Sequence, residues 1–239
     1  MENLKIDKQA DGKVATALRE TLQQLEQLQK SYGRDSGSVA LLAVSKTKPV
    51  GAIREAIAVG QRDFGENYVD EAIGKIDELR PEAKECQWHY IGQIQSNKTR
   101  LIANYFDWVH GIDRAKIASR LSQQRDPQLP PLNCCIQLNI DREHSKAGVQ
   151  PEELAELCRH FTELPNLHLR GLMCIPAPRT ELEDQRELFR QVASELRTLQ
   201  AEFPQLDTLS MGMSADIEAA VAEGSTMVRV GTAIFGART

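Results

Sequence analysis

The chain has 239 residues, 41% of them hydrophobic, enough for one large core or two small ones. A net charge of -5 lacks the basic face that nucleic-acid binding needs. No apolar run reaches membrane-spanning length, and Met1-Glu2-Asn3-Leu4-Lys5 lacks the apolar core of a secretory signal. Five cysteines without a CxxC pair read as buried hydrophobes in a reducing compartment, and five scattered histidines have no metal-ligand spacing. The expectation is a cytoplasmic protein with no structural metal.

Val14 to Lys30 reads as an amphipathic helix with Val14, Leu18, Leu22, Leu25 and Leu28 on one face. Polar residues 31–38 then lead into the apolar run Val39-Ala-Leu-Leu-Ala-Val44, a strand buried on both faces. It stops at Ser45-Lys46, and Pro49 suits the first turn of a helix to Val59, with Gly60 as its stop. Strand and helix then alternate. Strands are expected at Asp63–Gly65, Gln87–Ile91, Phe106–Ile112, Cys134–Ile140, Leu167–Ile175, Thr208–Met213 and Met227–Val230. Helices are expected after each of these except the last: Asp113 is the expected N-cap of one, Pro151 starts another, and the last pair are Glu181–Gln200 and Ala215–Ala222. Eight β/α units in about 250 residues predict a single (β/α)8 TIM-type barrel spanning residues 1–239, preceded by an N-terminal helix. An open doubly wound sheet is the alternative, but even spacing favours closure.

In such a barrel the C-terminal strand ends converge on one mouth. The residues there are Lys46, Asn67, His89, Gly92, Asn139, Met173, Ser214, Arg229, Gly231 and Thr232. A partly desolvated Lys46 is a candidate imine-forming amine; the alternative is a rim lysine with a wet head. Ser214 at an expected helix start and the Gly231-Thr232 turn follow strands 7 and 8, where barrels frequently bind phosphate. Arg229 lies mid-strand, so it points either into the mouth, where it wants an acceptor, or out to a surface ion pair. Gly92-Gln-Ile-Gln-Ser-Asn97-Lys98-Thr99 is nearly a P-loop, but asparagine replaces the second glycine, which argues against nucleotide hydrolysis. Asp141 to Gly148 reads as a solvated loop from which Lys146 could approach the mouth.

Seven segments together resemble the pyridoxal phosphate homeostasis proteins. They are Leu41–Pro49, Phe64–Tyr68, Trp88–Gly92, Gln95–Lys98, Gly171–Met173, Ser210–Ser214 and Val228–Gly236. The resemblance implies a barrel like the N-terminal domain of alanine racemase, with pyridoxal 5'-phosphate (PLP) held as an imine on Lys46. It further implies that Ser214, Gly231 and Thr232 hold the phosphate with Ser210 nearby. Arg229 would meet the pyridine nitrogen, and Asn67, His89 and Met173 would line the ring. An arginine at that nitrogen weakens the ring as an electron sink. It implies a non-catalytic protein that buffers PLP and related B6 vitamers or delivers them to apo-enzymes. Tyr90 stands where many members have phenylalanine.

Two other functions compete. One is a PLP-dependent amino-acid racemase; racemases of this fold carry a second domain that supplies a catalytic tyrosine and the dimer, and here only Tyr68 and Tyr90 lie near the strand ends. The apparent lack of that domain implies a monomer. The other is a phosphate-binding barrel enzyme without imine chemistry.

Overall fold

The structure, a computed structural model, describes residues 12–143 and 147–237; the expectation for Lys146 lies outside the described residues. Eight parallel strands run in sequence order: β1 (Ala40–Val44), β2 (Asp63–Glu66), β3 (Gln87–Tyr90), β4 (Trp108–Ile112), β5 (Leu132–Leu138), β6 (Leu167–Cys174), β7 (Thr208–Ser210) and β8 (Met227–Val230). Each pairs with its neighbours, and β8 returns to β1 in the register Ala40–Met227 through Ala43–Val230, so the sheet closes into a barrel. The open-sheet alternative is thereby excluded. Parallel pairing requires a crossover at every step. The crossovers are α2 (Val50–Ala58), α3 (Val69–Leu79), α4 (Thr99–Tyr105), α5 (Ala115–Gln124), α6 (Leu154–Phe161), α7 (Leu182–Gln200) and α8 (Ile217–Ala222).

The barrel wall shows why these residues form it. Alternate strand residues such as Leu41, Ala43, Phe64, Val109 and Leu172 are buried in the large cluster shared with the helices. The inner face carries a separate cluster of Trp108, Cys135 and Met173. Gly171 in β6 has no alternative, because a Cβ there would lie 1.9 Å from the Thr208 carbonyl oxygen.

The N-terminal helix α1 (Lys13–Ser31) packs on α2, α8 and the four-residue α9 (Thr232–Phe235). Because α9 is so short, α1 takes the eighth place in the outer ring. Its buried stripe is Val14, Leu18, Thr21, Leu25 and Gln29, and Leu22 is exposed, contrary to expectation. Thr21 and Gln29 can be buried because each side chain bonds a carbonyl one turn back, Ala17 and Leu25, at 2.8 and 3.2 Å.

Several boundaries differ from those expected. β5 ends at Leu138, and Asn139 instead ties the following loop: its Nδ2 donates to the Glu143 carbonyl at 2.8 Å and its Oδ1 accepts from the Glu143 N–H at 3.2 Å. β7 ends at Ser210, because Gly212 turns the chain at φ +95°. α2 begins at Val50, with Pro49 as its N-cap, and ends at Ala58. Arg114, not Asp113, precedes α5, and the Asp113 carboxylate pairs with Arg114 at 2.7 Å.

Candidate functional site

Lys46 follows β1 at the C-terminal mouth and is half-buried. The residues on either side of it are pinned. The Ser45 N–H donates to the Gly65 carbonyl at 3.0 Å, and Ser45 Oγ donates to Glu66 Oε1 at 2.7 Å. Lys75, reaching up from α3, donates to the Ser45 carbonyl (2.8 Å), Glu66 Oε1 (2.8 Å) and Glu71 Oε1 (2.5 Å). Glu71 Oε1 also accepts the Thr47 N–H at 2.7 Å. Thr47 sits at φ +62°, a left-handed conformation that a β-branched residue rarely adopts. The buried Lys75–Glu66–Glu71 cluster thus holds a strained turn immediately after Lys46. Burial raises the Glu66 pKa against the opposing charge of Lys75.

The neighbouring strand ends converge on this turn. On one side Val44 pairs with Gly65, which brings in Asn67. Asn67 Oδ1 is enclosed with no hydrogen-bond partner among the described residues. Gly92 packs so closely behind it that a Cβ would lie 2.4 Å from the Asn67 carbonyl oxygen. On the other side, a Cβ at Gly231 would meet the Val44 carbonyl at 3.1 Å, so the β8 turn lies against the base of the Lys46 turn. Thr232 and Ser214 are both exposed there. Ser214 does not start a helix as expected: α8 begins at Ile217, and Ser214 lies in a turn closed by the Met213 N–H donating to Asp216 Oδ1 at 2.5 Å.

Arg229 points into the barrel and is almost wholly buried. Its Nη1 donates to the Ser210 carbonyl (2.5 Å) and Ser210 Oγ (2.8 Å), and its Nη2 to the Cys174 carbonyl (2.8 Å). Three of five N–H donors are thereby used. Ser210 Oγ also meets His110 Nδ1 at 2.8 Å, His110 Nε2 meets His89 Nδ1 at 3.0 Å, and His89 Nε2 meets Asp63 Oδ1 at 3.1 Å. Burial first, with the Arg229 guanidinium adding to it, pushes His110 well below the ordinary histidine range.

His89 and Met173, both expected to line the ring, are buried side chains of the barrel interior. His89 is completely buried inside the barrel, with both ring nitrogens engaged and its ring stacked on Trp108 at 5.4 Å. Met173 is enclosed with Trp108 and Cys135. Tyr90, adjacent to His89, faces outward by strand alternation. It packs edge-on against Phe106 at 5.3 Å, and its hydroxyl donates to the Gln93 carbonyl at 3.0 Å. Burial pushes its pKa up to about 12.

The near P-loop is committed elsewhere. Lys98 Nζ pairs with both Asp70 oxygens at 2.8 and 2.9 Å, and the Thr99 hydroxyl lies within hydrogen-bond distance of the Ser96 carbonyl (3.0 Å) and Gln124 Oε1 (2.8 Å).

Comparisons with known proteins follow the same lines. The family described as "Alanine racemase, N-terminal domain" matches residues 16–239. A protein of Escherichia coli (strain K12) named pyridoxal phosphate homeostasis protein is 56% identical over 207 residues, covering 86% of this chain and 88% of that one. Its counterpart of the same name from Pseudomonas aeruginosa is 54% identical over 227 residues, covering 95% and 94%. The structure of PipY from Synechococcus elongatus PCC7942 with PLP bound superposes with a TM-score of 0.81 at 38% identity, covering 93% of this chain and all of that one. An alanine racemase of Clostridium difficile 630 shares the fold, with a TM-score of 0.71 at 14% identity over 92% of this chain and 56% of the racemase. The chain belongs to the alanine racemase N-terminal domain family, as one of its pyridoxal phosphate homeostasis proteins.

Proposed function

We propose that this protein binds PLP at the barrel mouth through a Schiff base to Lys46 and serves PLP homeostasis by buffering the cofactor or handing it to apo-enzymes. One observation carries the proposal: the pinned Lys46 turn and the Gly231-Thr232 turn meet at the β1–β8 seam, above the inward-pointing Arg229. The groups present suit the cofactor. Lys46 would supply the amine that tethers the cofactor through its aldehyde. Ser214, Gly231 and Thr232 supply hydroxyls and close backbone approach for the phosphate. Arg229 retains an Nε–H and one Nη2 hydrogen for the pyridine nitrogen. Asn67 offers an Oδ1 that has no hydrogen-bond partner among the described residues. His89 and Met173 support from below, since other side chains enclose them.

Bound PLP stabilises carbanions best when its ring nitrogen is protonated. Arginine only donates, so Arg229 favours an unprotonated nitrogen and a retained cofactor over racemisation. The Tyr90 hydroxyl is turned to Gln93, and burial raises its pKa, which keeps it protonated near neutral pH. The proposal extends to the cytoplasm, as the cysteine usage suggests, and to a monomeric state.

Purified protein incubated with PLP should develop a visible absorbance band that borohydride fixes onto Lys46, located by peptide mass. Label on another lysine, or no band, refutes the proposal. Racemisation of an amino-acid panel well above the rate of free PLP would establish the racemase alternative instead. Transfer to an apo-enzyme faster than spontaneous release would identify delivery, and sedimentation would report the oligomeric state.

A further inference from the structure

Five side chains from β2, β3, β4, β7 and β8 form one continuous chain of polar contacts across the barrel interior: Asp63, His89, His110, Ser210 and Arg229. Asp63 opens β2 and so lies at the N-terminal end of the barrel, opposite the mouth. Its side chain is one-third exposed, whereas the other four are buried. We infer that Asp63 is a remote positioning residue for Arg229, setting the donor direction of the three bonds that link its carboxylate to Ser210.

Donor and acceptor chemistry fixes the direction at both ends. Arg229 can only donate, so Ser210 Oγ accepts from Nη1. The Ser210 hydroxyl hydrogen is then directed to His110 Nδ1. A His110 that accepts at Nδ1 carries its proton on Nε2 and donates it to His89 Nδ1. His89 in turn donates from Nε2 to the Asp63 carboxylate, which can only accept. All four bonds are satisfied with both rings neutral. Reversing the order with neutral rings would set a bare His89 nitrogen against the Asp63 oxygen. A cationic His89 would also reverse the two inner bonds. That pattern would put the His110 proton on Nδ1, the outcome that overturns the inference below. The direction matters at the mouth because Ser210 gives Nη1 both of its acceptors, which orients the guanidinium and so aims its remaining N–H groups.

The test reads the histidine tautomers of the full-length, cofactor-free protein from long-range proton–nitrogen NMR correlations. Signals are assigned by their loss in His89→Gln and His110→Gln. Wild type is expected to carry the ring proton on Nε2 in both residues. Asp63→Ala removes the terminal acceptor and is expected to move the proton to Nδ1 in His89 and also in His110, which Asp63 does not touch. A purely local structural role for Asp63 would leave His110 unmoved. A wild-type His110 protonated on Nδ1 overturns the inference, and so does a folded Asp63→Ala protein with unchanged tautomers. Should Asp63→Ala fail to fold, the wild-type spectrum decides alone. The consequence for the cofactor rests on the proposed contact of Arg229 with PLP. There Asp63→Ala is expected to weaken PLP binding by roughly two- to thirtyfold, the range for residues that act without touching the ligand. Switched tautomers with unchanged affinity would overturn the link to Arg229. A wild type that does not bind PLP would refute the proposed function and leave the tautomer result standing.

Discussion

Replacing Lys75 by methionine keeps most of the side chain's length and deletes one charge from the cluster beneath the Lys46 turn. The Lys75 ammonium meets Glu66 Oε1 at 2.8 Å and Glu71 Oε1 at 2.5 Å. The Glu66 side chain is fully enclosed, and its Oε2 has no hydrogen-bond partner among the described residues. The substitution therefore strands a buried carboxylate, and removing one partner of such a pair costs about 3–5 kcal/mol. For a chain of this size that is a fall in melting temperature of roughly 6–20 °C. The loss should depend on pH. Burial already raises the Glu66 pKa and Lys75 opposes the rise, so without Lys75 the folded value moves further up. A raised carboxyl in the folded state binds more protons than in the unfolded state, so stability falls as pH climbs from about 4.3 toward the folded value. The deficit relative to wild type is thus smallest in acid and largest near neutrality. Urea and thermal melts across that range measure it. A deficit under about 1 kcal/mol at neutral pH, or one equal in acid and at neutrality, would refute the assignment of Lys75 as the neutralising partner.

Other perturbations follow from the mouth. Ser214→Ala should leave stability within about 0.5 kcal/mol because the residue is exposed. It should weaken PLP binding by roughly tenfold or more while sparing unphosphorylated pyridoxal, as titration calorimetry with both vitamers would show. Gly92→Ala sets a Cβ 2.4 Å from the Asn67 carbonyl oxygen. It should displace the Asn67 turn, cost about 1–3 kcal/mol in urea melts and lower PLP affinity in a fluorescence titration. Tyr90→Phe should cost about 0.5–1.5 kcal/mol for the lost bond to Gln93 and leave the absorbance of bound PLP unchanged. A shifted band would mean that the hydroxyl reaches the cofactor.

The barrel was legible because its strands are buried on both faces and its helices carry single apolar stripes. Lys46 and Arg229 stood out as cations attached to such strands. The ends of β5 and β7 were not legible, since apolar residues continue past both and only the Gly212 conformation and the Asn139 side chain stop them. The α1 stripe was misjudged at Leu22 because Thr21 and Gln29 become buriable by bonding their own helix. The Lys75 clamp was missed, although Lys75 falls on the same face of α3 as Ala72, Ile76 and Leu79, where a charged residue needs a partner. His110 was passed over as scattered, although it alternates with Trp108 in a wholly buried strand. Periodicity reveals which way a side chain points; what it meets across a barrel depends on strands far away in sequence.

The seat of α1 in the outer ring also bears on how the chain is made. Val14, Leu18 and Leu25 are synthesised about 200 residues before α8, α9 and the β8 edge of the sheet, roughly 10–40 s earlier at 5–20 residues per second. Until then the helix has only α2 to lean on among those neighbours, and β1 lacks its partner on the β8 side. Closure of the sheet and seating of the helix are thus one late event joining the two ends of the chain. Such non-local closure slows folding and leaves apolar surface open to chaperones in the interval. The Lys46 and Gly231 turns flank that same seam, so the proposed cofactor site would come into being only with that closure.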